Sequence, residues 1–472
     1  MRSPELCFLD AVELVRLMQG REVSAREVME AHLAQVERVN PKVNAIVTFV
    51  PELAMAGAAA ADDQLARGEA TGILHGLPVA HKDLHETAGI RTTYGSPIFA
   101  DFVPQTDSVA VRRIKAAGAI TIGKTNTPEF GLGSQTFNAV FGATRNPYDL
   151  SKTCGGSSGG AAVALACGMI PIADGSDMGG SLRNPANFNN VVGFRCSPGR
   201  MPGPPGSWAT LSVDGPMARS VDDVALLLAA MAGPDPSSPI SISEPGGKFL
   251  APLDRDFRGT RIAASPDFGG LPVERAVRDA ISGTVPVFES LGCAVEDACP
   301  DLSDAYECFQ VLRALGLAET RGPLLEQHRH QMKETAVWNI EKGLALTGEE
   351  VARAGRLRTA VFQRMKAFMD RYEFLIVPVN QVAPFPVDVE YPTVIEGVPM
   401  ETYVDWMKSC FSITMTGHPA ISVPCGFTPD GLPVGVQIVG RYRDEFGVLQ
   451  LAKAFEAATG FRRRRPPVAE TP

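Results

Sequence analysis

The chain has 472 residues, of which 45% are hydrophobic and 21% are charged, as is typical of a globular protein with a substantial core. A formal net charge of −9 disfavours nucleic acid as a partner, because phosphate contacts need clustered lysine and arginine. The sequence has no uninterrupted apolar segment of about 18 residues, so neither a membrane-spanning helix nor a membrane partner is expected.

Nine cysteines are present without a CxxC pair, and their odd number argues against a disulfide framework. The residues that follow Met1 lack the apolar region of a signal peptide. Together these features predict a reducing, cytoplasmic location. The one basic run, Arg462 to Arg465, is expected to be a solvated, frayed tail rather than a nucleic-acid site.

The first half of the chain alternates predicted helices and strands. Helices come first, and Ser24 with Glu27 forms a capping box for one that Asn40-Pro41 is expected to end. Hydrophobic periodicity then predicts, in chain order, a helix over 52–67, a buried strand over 77–83, a helix over 106–117, a strand over 119–122, a helix over 158–167 and a strand over 169–173.

The second half begins after residues 233–247, which are rich in Pro, Ser and Gly. These residues are either a linker between domains or a long surface loop within one domain. Residues 304–372 have a largely helical pattern, and strands over 420–423 and 434–439 precede a last helix near 448–458. Strands that alternate with helices predict an α/β fold, with a mixed central sheet covered by helices on both faces.

Residues 118–125 match the P-loop pattern G-x-x-x-x-G-K-[ST] letter for letter. A P-loop needs a flexible turn that leads directly into a helix. Here the middle residues form a β-like run, and Pro128 follows shortly after the match. The match therefore does not predict nucleotide binding.

His81 and His85 have the i, i+4 spacing of zinc-binding helices. The zinc motif places glutamate directly after the first histidine, whereas this chain places the cation Lys82 there. A structural role is predicted for both histidines, and no metal site is expected.

Two glycine-flanked segments are the candidate catalytic loops. Residues 155–160 contain Ser157 and Ser158, and residues 179–181 end in Ser181. Glycine lets a substrate approach the backbone closely, and backbone N–H groups can stabilise an oxyanion. The two loops therefore predict a hydrolase built on hydroxyls and amides.

One interpretation of the first loop is the nucleophile elbow of α/β-hydrolases, which Gly155-x-Ser157-x-Gly159 fits. It makes Ser157 the nucleophile and requires a downstream histidine as the base. The histidines available there are His328, His330 and His418.

A different interpretation joins both loops to Lys82. An amide is a poor electrophile, so its hydrolysis needs an activated nucleophile, a proton for the leaving amine and a stabilised oxyanion. A lysine activates a serine if burial lowers the lysine pKa enough to make it neutral. A second serine between them can relay the proton.

This combination resembles the amidase signature family, hydrolases that use a Ser–cis-Ser–Lys triad. The resemblance rests on residues 76–83, 123–130, 155–160, 177–186, 193 and 198–200, with further similarity near both ends of the chain. It implies one large domain over residues 1–472, with the signature core at about 76–200 and a helical pocket region at about 304–372. Residues 233–247 are then a loop within that domain.

Carried over residue by residue, the resemblance implies that Ser181 is the nucleophile and Lys82 the general base and acid. Ser157 would be the relay, with the Gly156–Ser157 peptide bond in the cis form. The family uses backbone amides of the nucleophile loop as the oxyanion hole, here those of Met178, Gly179, Gly180 and Ser181. Supporting roles fall to Ser158, Asp177 and Arg183. Met178 departs from the small or hydroxyl residue that is common there.

The predicted function is therefore that of an amidohydrolase acting on linear amides, with no metal or organic cofactor. Its partner would be a small-molecule amide or carbamate, and a homo-oligomer is possible. The alternatives are an amidotransferase A-type subunit that acts on charged tRNA, an esterase or urethanase with the same site, and a binding protein with an inactive site. Candidate pocket residues are Tyr306, Phe309, Met332, Trp338, Trp406 and Met407.

Overall fold

The computed structural model describes residues 3–470. In that part of the chain sixteen α-helices occur: α1 (Ser3–Leu6), α2 (Ala11–Gln19), α3 (Ala25–Val43), α4 (Pro51–Ala66), α5 (Val109–Ala116), α6 (Gly159–Ala166), α7 (Arg183–Phe188), α8 (Val221–Met231), α9 (Arg275–Ser282), α10 (Val285–Ser290), α11 (Ala305–His328), α12 (Glu334–Leu344), α13 (Gly348–Met369), α14 (Lys408–Thr416), α15 (Glu445–Thr459) and α16 (Pro467–Glu470).

The strands of the same part of the chain are β1 (Ile46–Phe49), β2 (Pro78–Lys82), β3 (Ile120–Thr125), β4 (Phe137–Asn138), β5 (Gly142–Ala143), β6 (Ile172–Asp177), β7 (Val192–Arg195), β8 (Val213–Ala218), β9 (Arg261–Ala264), β10 (Ala294–Asp297), β11 (Phe374–Pro378), β12 (Val394–Ile395), β13 (Val398–Pro399), β14 (Ala420–Phe427) and β15 (Pro433–Gly440).

Eleven strands form one mixed sheet in the order β1-β3-β2-β6-β8-β7-β14-β15-β11-β9-β10. Strand β2 is parallel to both β3 and β6, whereas β6 is antiparallel to β8. Helices flank this sheet, so the predicted α/β architecture with a mixed central sheet is confirmed.

The sheet divides into two halves that follow the chain. Strands up to β8 lie on one side, strands from β9 onward lie on the other, and the two sides meet where β7 pairs with β14. At this junction the strands are antiparallel, with Phe194 opposite Ile421 and Gly193 opposite Ser422. The hydrophobic core continues across the junction, since Phe194 and Ile421 belong to one buried cluster.

Most predicted helices and strands are present, but α3 is longer than predicted. It begins at the predicted capping box of Ser24 and Glu27 and continues through Pro41 to Val43. Proline in the last turn removes only one backbone hydrogen bond, so the helix does not end there. It ends at Asn44, which adopts the left-handed conformation with φ 54° and donates its N–H to the Asn40 carbonyl.

Strand β6 is displaced from its predicted position at 169–173. It runs from Ile172 to Asp177, because antiparallel pairing with β8 continues through its polar residues as far as Asp177 opposite Val213. Apolar periodicity located only the first residues of this strand. Its polar end has direct importance for the candidate site.

The arginine run is exposed from Arg463 to Arg465, as expected of a solvated segment, but it is not frayed. Arg462 forms an ion pair with Asp10, Arg464 stacks 4.1 Å from the ring centre of Phe427, and Arg465 stacks on Phe8. Aromatic rings and a carboxylate of other elements therefore hold this segment against the body of the protein.

Residues 233–247 also pack against the first half rather than bridging freely. Arg113 donates hydrogen bonds to the carbonyls of Gly233 and Pro234, and the Ile242 N–H donates to the Gly199 carbonyl.

Within residues 3–470 no helix is both long enough and apolar enough to cross a membrane.

Candidate active site

Lys82 is the last residue of β2, and its side chain is fully buried. Its Nζ lies 2.7 Å from the Oγ of Ser157, 2.9 Å from that of Ser158 and 3.1 Å from that of Ser176. Within residues 3–470 it forms no ion pair with a carboxylate. Its three hydrogen-bond partners are therefore hydroxyl groups, which carry no charge that would hold the amine in its protonated form.

Burial lowers the pKa of Lys82 to about 7, although the negative charges of Asp214, Asp177 and Asp174 act in the opposite direction. An ordinary lysine has a pKa near 10.5. The side chain is therefore poised to take up and release a proton near neutral pH, as a general base and acid must.

Ser157 and Ser158 are placed by the glycine-rich loop that precedes α6. Gly155 has φ 73°, a left-handed conformation that glycine adopts without cost, and the Gly156–Ser157 peptide bond is cis. The Ser158 N–H donates to the Ser181 carbonyl at 3.2 Å. This backbone contact joins the two predicted catalytic loops.

Asp177 ends β6 and organises the loop that carries Ser181. Its carboxylate accepts hydrogen bonds from the N–H groups of Gly180 and Leu182 and from the guanidinium of Arg183. Burial raises the pKa of Asp177, but the positive charges of Arg183 and Arg195 outweigh this and hold it well below its usual range. The loop therefore turns around a permanently charged carboxylate.

Arg183 connects this loop to the second half of the chain. Its Nη1 donates to the Cys410 carbonyl at 3.0 Å and to the Gln437 side chain at 2.6 Å. Gly180 has φ 117°, and a Cβ atom there would lie 2.6 Å from the Cβ of Cys410. Helix α14 and strand β15 thus support the loop from behind.

A cavity of about 100 Å³ opens beside these groups. Ser157, Ser176 and Ser181 contribute hydroxyls to its wall, and Arg313 is the charged side chain there. The other residues that line it are Leu84, Phe130, Gly131, Leu132, Gly133, Ser134, Met178, Gly179, Ser212, Phe309, Leu317 and Met407. The first half supplies the hydroxyls, whereas both halves supply the apolar wall.

The amides proposed for the oxyanion hole differ in their availability. The Gly180 N–H donates to Asp177 at 3.0 Å, so it is occupied and does not point freely at a substrate. The amides of Met178, Gly179 and Ser181 form no hydrogen bond with another group of residues 3–470. The prediction for Gly180 is therefore revised, because the carboxylate that shapes the loop uses this donor.

The predicted pocket residues separate into two groups. Phe309 and Met407 line the cavity, and Met332 packs in a cluster with three cavity residues, namely Phe130, Leu132 and Leu317. Trp406 is buried against Phe188 and Phe385, Trp338 is 38% exposed, and Tyr306 packs beside Phe411; none of these three lines the cavity.

Sequence reasoning missed Ser176 and Arg313. Ser176 lies one residue before Asp177 in β6. Successive side chains of a strand point to opposite faces, so extending the predicted strand to Asp177 would have made Ser176 a candidate on the other face. Arg313 lies within α11 without a motif around it. Only the packing of α11 against the first half brings it to the cavity.

The structure does not support the P-loop match or the nucleophile-elbow interpretation. Lys124 of the P-loop match is in β3, where it is buried and bonded to Thr87, Thr92 and the His85 carbonyl. The match therefore forms a strand rather than a phosphate-binding loop. His328, His330 and His418, required by the nucleophile-elbow interpretation, do not line the cavity.

The histidine pair binds protein groups. Nδ1 of His81 and Nδ1 of His85 both contact Asp174, while the Nε2 atoms contact Thr121 and Asp214, respectively. Because all four ring nitrogens have partners, the pair forms a buried hydrogen-bond network behind Lys82. Within residues 3–470 no group of three or more His, Cys, Asp or Glu side chains is arranged to hold a metal ion.

The chain is similar to known proteins along nearly its whole length. The family model described as Amidase matches residues 27–449. The acylamidase of Rhodococcus erythropolis is 35% identical over 471 residues, which cover 99% of this chain and 98% of that protein. The A-type subunit of the glutamyl-tRNA(Gln) amidotransferase of Geobacillus stearothermophilus is 36% identical over 481 residues, which cover 96% of this chain and 98% of that protein.

Solved structures give the same result. A bacterial aryl acylamidase of the amidase signature enzymes superposes with a TM-score of 0.90 at 28% identity, covering 98% of this chain and 99% of that one. The 6-aminohexanoate cyclic dimer hydrolase superposes with a TM-score of 0.87 at 26% identity, covering 98% of this chain and 99% of that one. From sequence, fold and family model alike, the chain belongs to the amidase family, the amidase signature enzymes that its motifs resemble.

Proposed function

We propose that this protein hydrolyses the C–N bond of small carboxylic amides through an acyl-enzyme on Ser181. The observation that carries the proposal is the position of Lys82, which is buried, has no ion pair among residues 3–470 and lies 2.7 Å from the hydroxyl of Ser157. Burial lowers the pKa of Lys82 to about 7, and this supports a neutral amine that can accept a proton. The cavity beside Ser157 and Ser181 supplies the place for a substrate.

In the proposed reaction, Ser181 Oγ attacks the amide carbonyl carbon as its proton passes to Ser157. Ser157 transfers its own proton to Lys82, which becomes an ammonium ion. The amides of Met178, Gly179 and Ser181 are the proposed donors to the oxyanion, with the revision for Gly180 described above. The relay then runs in reverse and protonates the leaving nitrogen as the C–N bond breaks.

Water completes the cycle. It attacks the ester formed on Ser181, and its proton travels through Ser157 to Lys82 before returning to Ser181 Oγ as the acid departs. Ser158 and Ser176 hold the Lys82 amine in line with Ser157. In this scheme Asp177 and Arg183 keep the nucleophile loop in place without touching the substrate.

The proposal predicts that Ser181→Ala and Lys82→Met each lower kcat/KM on para-nitroacetanilide by about a thousand-fold or more. The physical reason is that one variant lacks the nucleophile and the other lacks the base. Release of para-nitroaniline is the measurement, with thermal unfolding to verify that each variant is folded.

Covalent labelling distinguishes the role of Ser181 as nucleophile from the role of Lys82 as base. A fluorophosphonate should label the natural protein and not Ser181→Ala, whereas Lys82→Met should label slowly. Ser212→Ala is the matched control, because it removes a cavity hydroxyl that does not contact Lys82, and it should label normally. Labelling at Ser157 in place of Ser181 would favour the nucleophile-elbow interpretation and contradict the proposal.

An amidotransferase component is the second candidate, because relatives named as the A-type subunit of glutamyl-tRNA(Gln) amidotransferase match nearly the whole chain. Such a component would take glutamine and depend on partner subunits. Hydrolysis of simple anilides, aliphatic amides, carbamates and esters by the purified chain alone would support the amidase proposal. A requirement for added partner subunits would support the second candidate instead.

A further inference from the structure

Arg313 stands out in the cavity wall. It is only 5% exposed, and it is the charged side chain among the residues that line the cavity. Nη1 donates to the Asn339 side chain and Nη2 to the Tyr403 hydroxyl. Both partners are neutral, and within residues 3–470 no carboxylate forms an ion pair with Arg313.

The nearby carboxylate of Asp405 does not pair with Arg313. It accepts hydrogen bonds from the N–H and hydroxyl of Thr402 instead. A second cation, Lys342, is close enough that its pKa is lowered, first by burial and then by the charge of Arg313, while the charge of Asp405 acts in the opposite direction. The Arg313 guanidinium also lies 5.2 Å from the ring centre of Tyr403. Within residues 3–470 the charge of Arg313 is therefore met by an aromatic ring and neutral hydrogen-bond partners, and by no ion pair.

A buried cation without a paired carboxylate is costly, and an anion bound beside it would offset that cost. The guanidinium also has a free donor, since its Nε bonds to no group of residues 3–470. Asn339 donates to the Thr335 carbonyl and to Tyr403, so these neighbours fix the plane of the guanidinium rather than neutralising it. A planar, fixed fork suits a carboxylate.

We propose that Arg313 binds a carboxylate of the substrate, so that the preferred substrates are amides that carry an anionic group beside an apolar segment. The inference rests on the proposed hydrolysis at Ser181, because the same cavity holds both residues. Phe309 and Leu317 lie one turn before and one turn after Arg313 on α11 and provide the apolar contact.

Two pairs of substrates test the proposal, and the members of each pair differ in a carboxylate exchanged for an isopropyl group of similar shape. Succinyl para-nitroanilide against isocaproyl para-nitroanilide places the charge on the acyl side. Para-acetamidobenzoate against para-isopropylacetanilide places it on the amine side. In at least one pair, kcat/KM of the anionic member is expected to be about ten-fold or more higher.

Substitution identifies the residue responsible. In Arg313→Met the anionic-to-neutral ratio is expected to fall about ten-fold or more, while Arg313→Lys keeps part of it. Arg321→Met is the matched control, because it removes another cation of α11 that stacks on Tyr94 and Phe130 and does not line the cavity. If Arg321→Met changes the ratio as much as Arg313→Met does, the effect does not come from a carboxylate bound at Arg313 and the inference is wrong.

Binding to an inactive variant makes the result independent of turnover. Succinyl para-nitroanilide should bind Ser181→Ala about ten-fold more tightly than it binds Ser181→Ala/Arg313→Met in calorimetry. A natural protein that hydrolyses only the neutral members overturns this inference and leaves the proposed amidase function standing. Failure to hydrolyse all four compounds, together with no fluorophosphonate labelling, overturns both.

Discussion

At the scale of single residues, Lys82 and His85 show how the hydrogen-bond partners of a buried side chain determine its pKa. Burial lowers the pKa of both groups, but His85 touches the carboxylates of Asp174 and Asp214, which together raise its pKa to about 9. Among residues 3–470 the Lys82 amine contacts three hydroxyls and no carboxylate, so the same carboxylates act on it only from a distance and its pKa falls to about 7. At neutral pH His85 is therefore protonated, whereas Lys82 is close to half protonated and can exchange a proton.

We expect kcat/KM on the neutral substrate para-nitroacetanilide to rise with pH, with a midpoint near the Lys82 pKa of about 7. Below this pH Lys82 holds its proton in the free protein and cannot accept one from Ser157, so activity is lost as pH falls. Initial rates across roughly pH 5.5 to 9 provide the measurement. A profile that stays flat through neutral pH would rule out Lys82 as the base.

The sequence identifies the candidate residues of the proposed relay, but it does not reveal their surroundings. Lys82, Ser157 and Ser181 occur in short glycine-rich or strand-end motifs, and the family resemblance of these motifs implies their roles. Arg313 reaches the cavity only because α11 packs there, and Gly180 is occupied only because Asp177 folds back onto it. Contacts between distant segments leave no local pattern to detect.

At the scale of elements, the connection from β6 through residues 178–182 to α7 is the part of the molecule that positions Ser181. Helix α7 has only six residues and cannot fix the loop by itself. Asp177 does so from the end of β6, with the positive charges of Arg183 and Arg195 buried against it. One carboxylate thus holds a turn and two guanidinium groups.

Asp177→Asn is expected to lower the free energy of unfolding by about 3–5 kcal/mol, because it leaves two arginines buried without a counter-charge. Urea unfolding followed by fluorescence provides the measurement. The matched control is Glu69→Gln in the exposed Arg67–Glu69 ion pair, for which a much smaller change is expected because water screens the two charges. An equally small effect for Asp177→Asn would show that the loop of residues 178–182 is stable without the Asp177 carboxylate.

The ends of helices and strands in this chain depend on pairing between strands as much as on the local sequence pattern. The capping box at Ser24 predicted where α3 begins, since the motif acts within one turn. The end of α3 was wrong because Pro41 falls in the last turn, where its cost is small. The end of β6 was wrong because polar Ser176 and Asp177 remain in a strand that β8 completes.

At the scale of the whole molecule, the sheet is built from two sequential halves joined at one strand pair. Strands β7 and β14 meet there, and α7 packs on β14 and β15 across the junction. The bonds from Arg183 to Cys410 and Gln437 cross it as well. The first half therefore contains all the proposed relay residues but depends on the second half for their support.

A chain divided between Asp254 and Arg255, both exposed, tests this dependence. The piece 1–254 alone is expected to show little fluorophosphonate labelling, because the junction strand and Arg183 lose their partners. Coexpression with the piece 255–472 should restore labelling. Rapid labelling of Ser181 in the first piece by itself would show that the second half is not needed to shape the loop.

In the proposed function, reactivity and selectivity come from different parts of the chain, because α11 is distant in sequence from the relay residues. All three hydroxyls around Lys82 come from residues 157–176, while Phe309, Arg313 and Leu317 of the cavity wall come from one later helix. Exchanges on that helix can alter which amide is accepted and leave the proton relay intact. One fold can in this way give rise to enzymes with unrelated substrates by changing a single helix face.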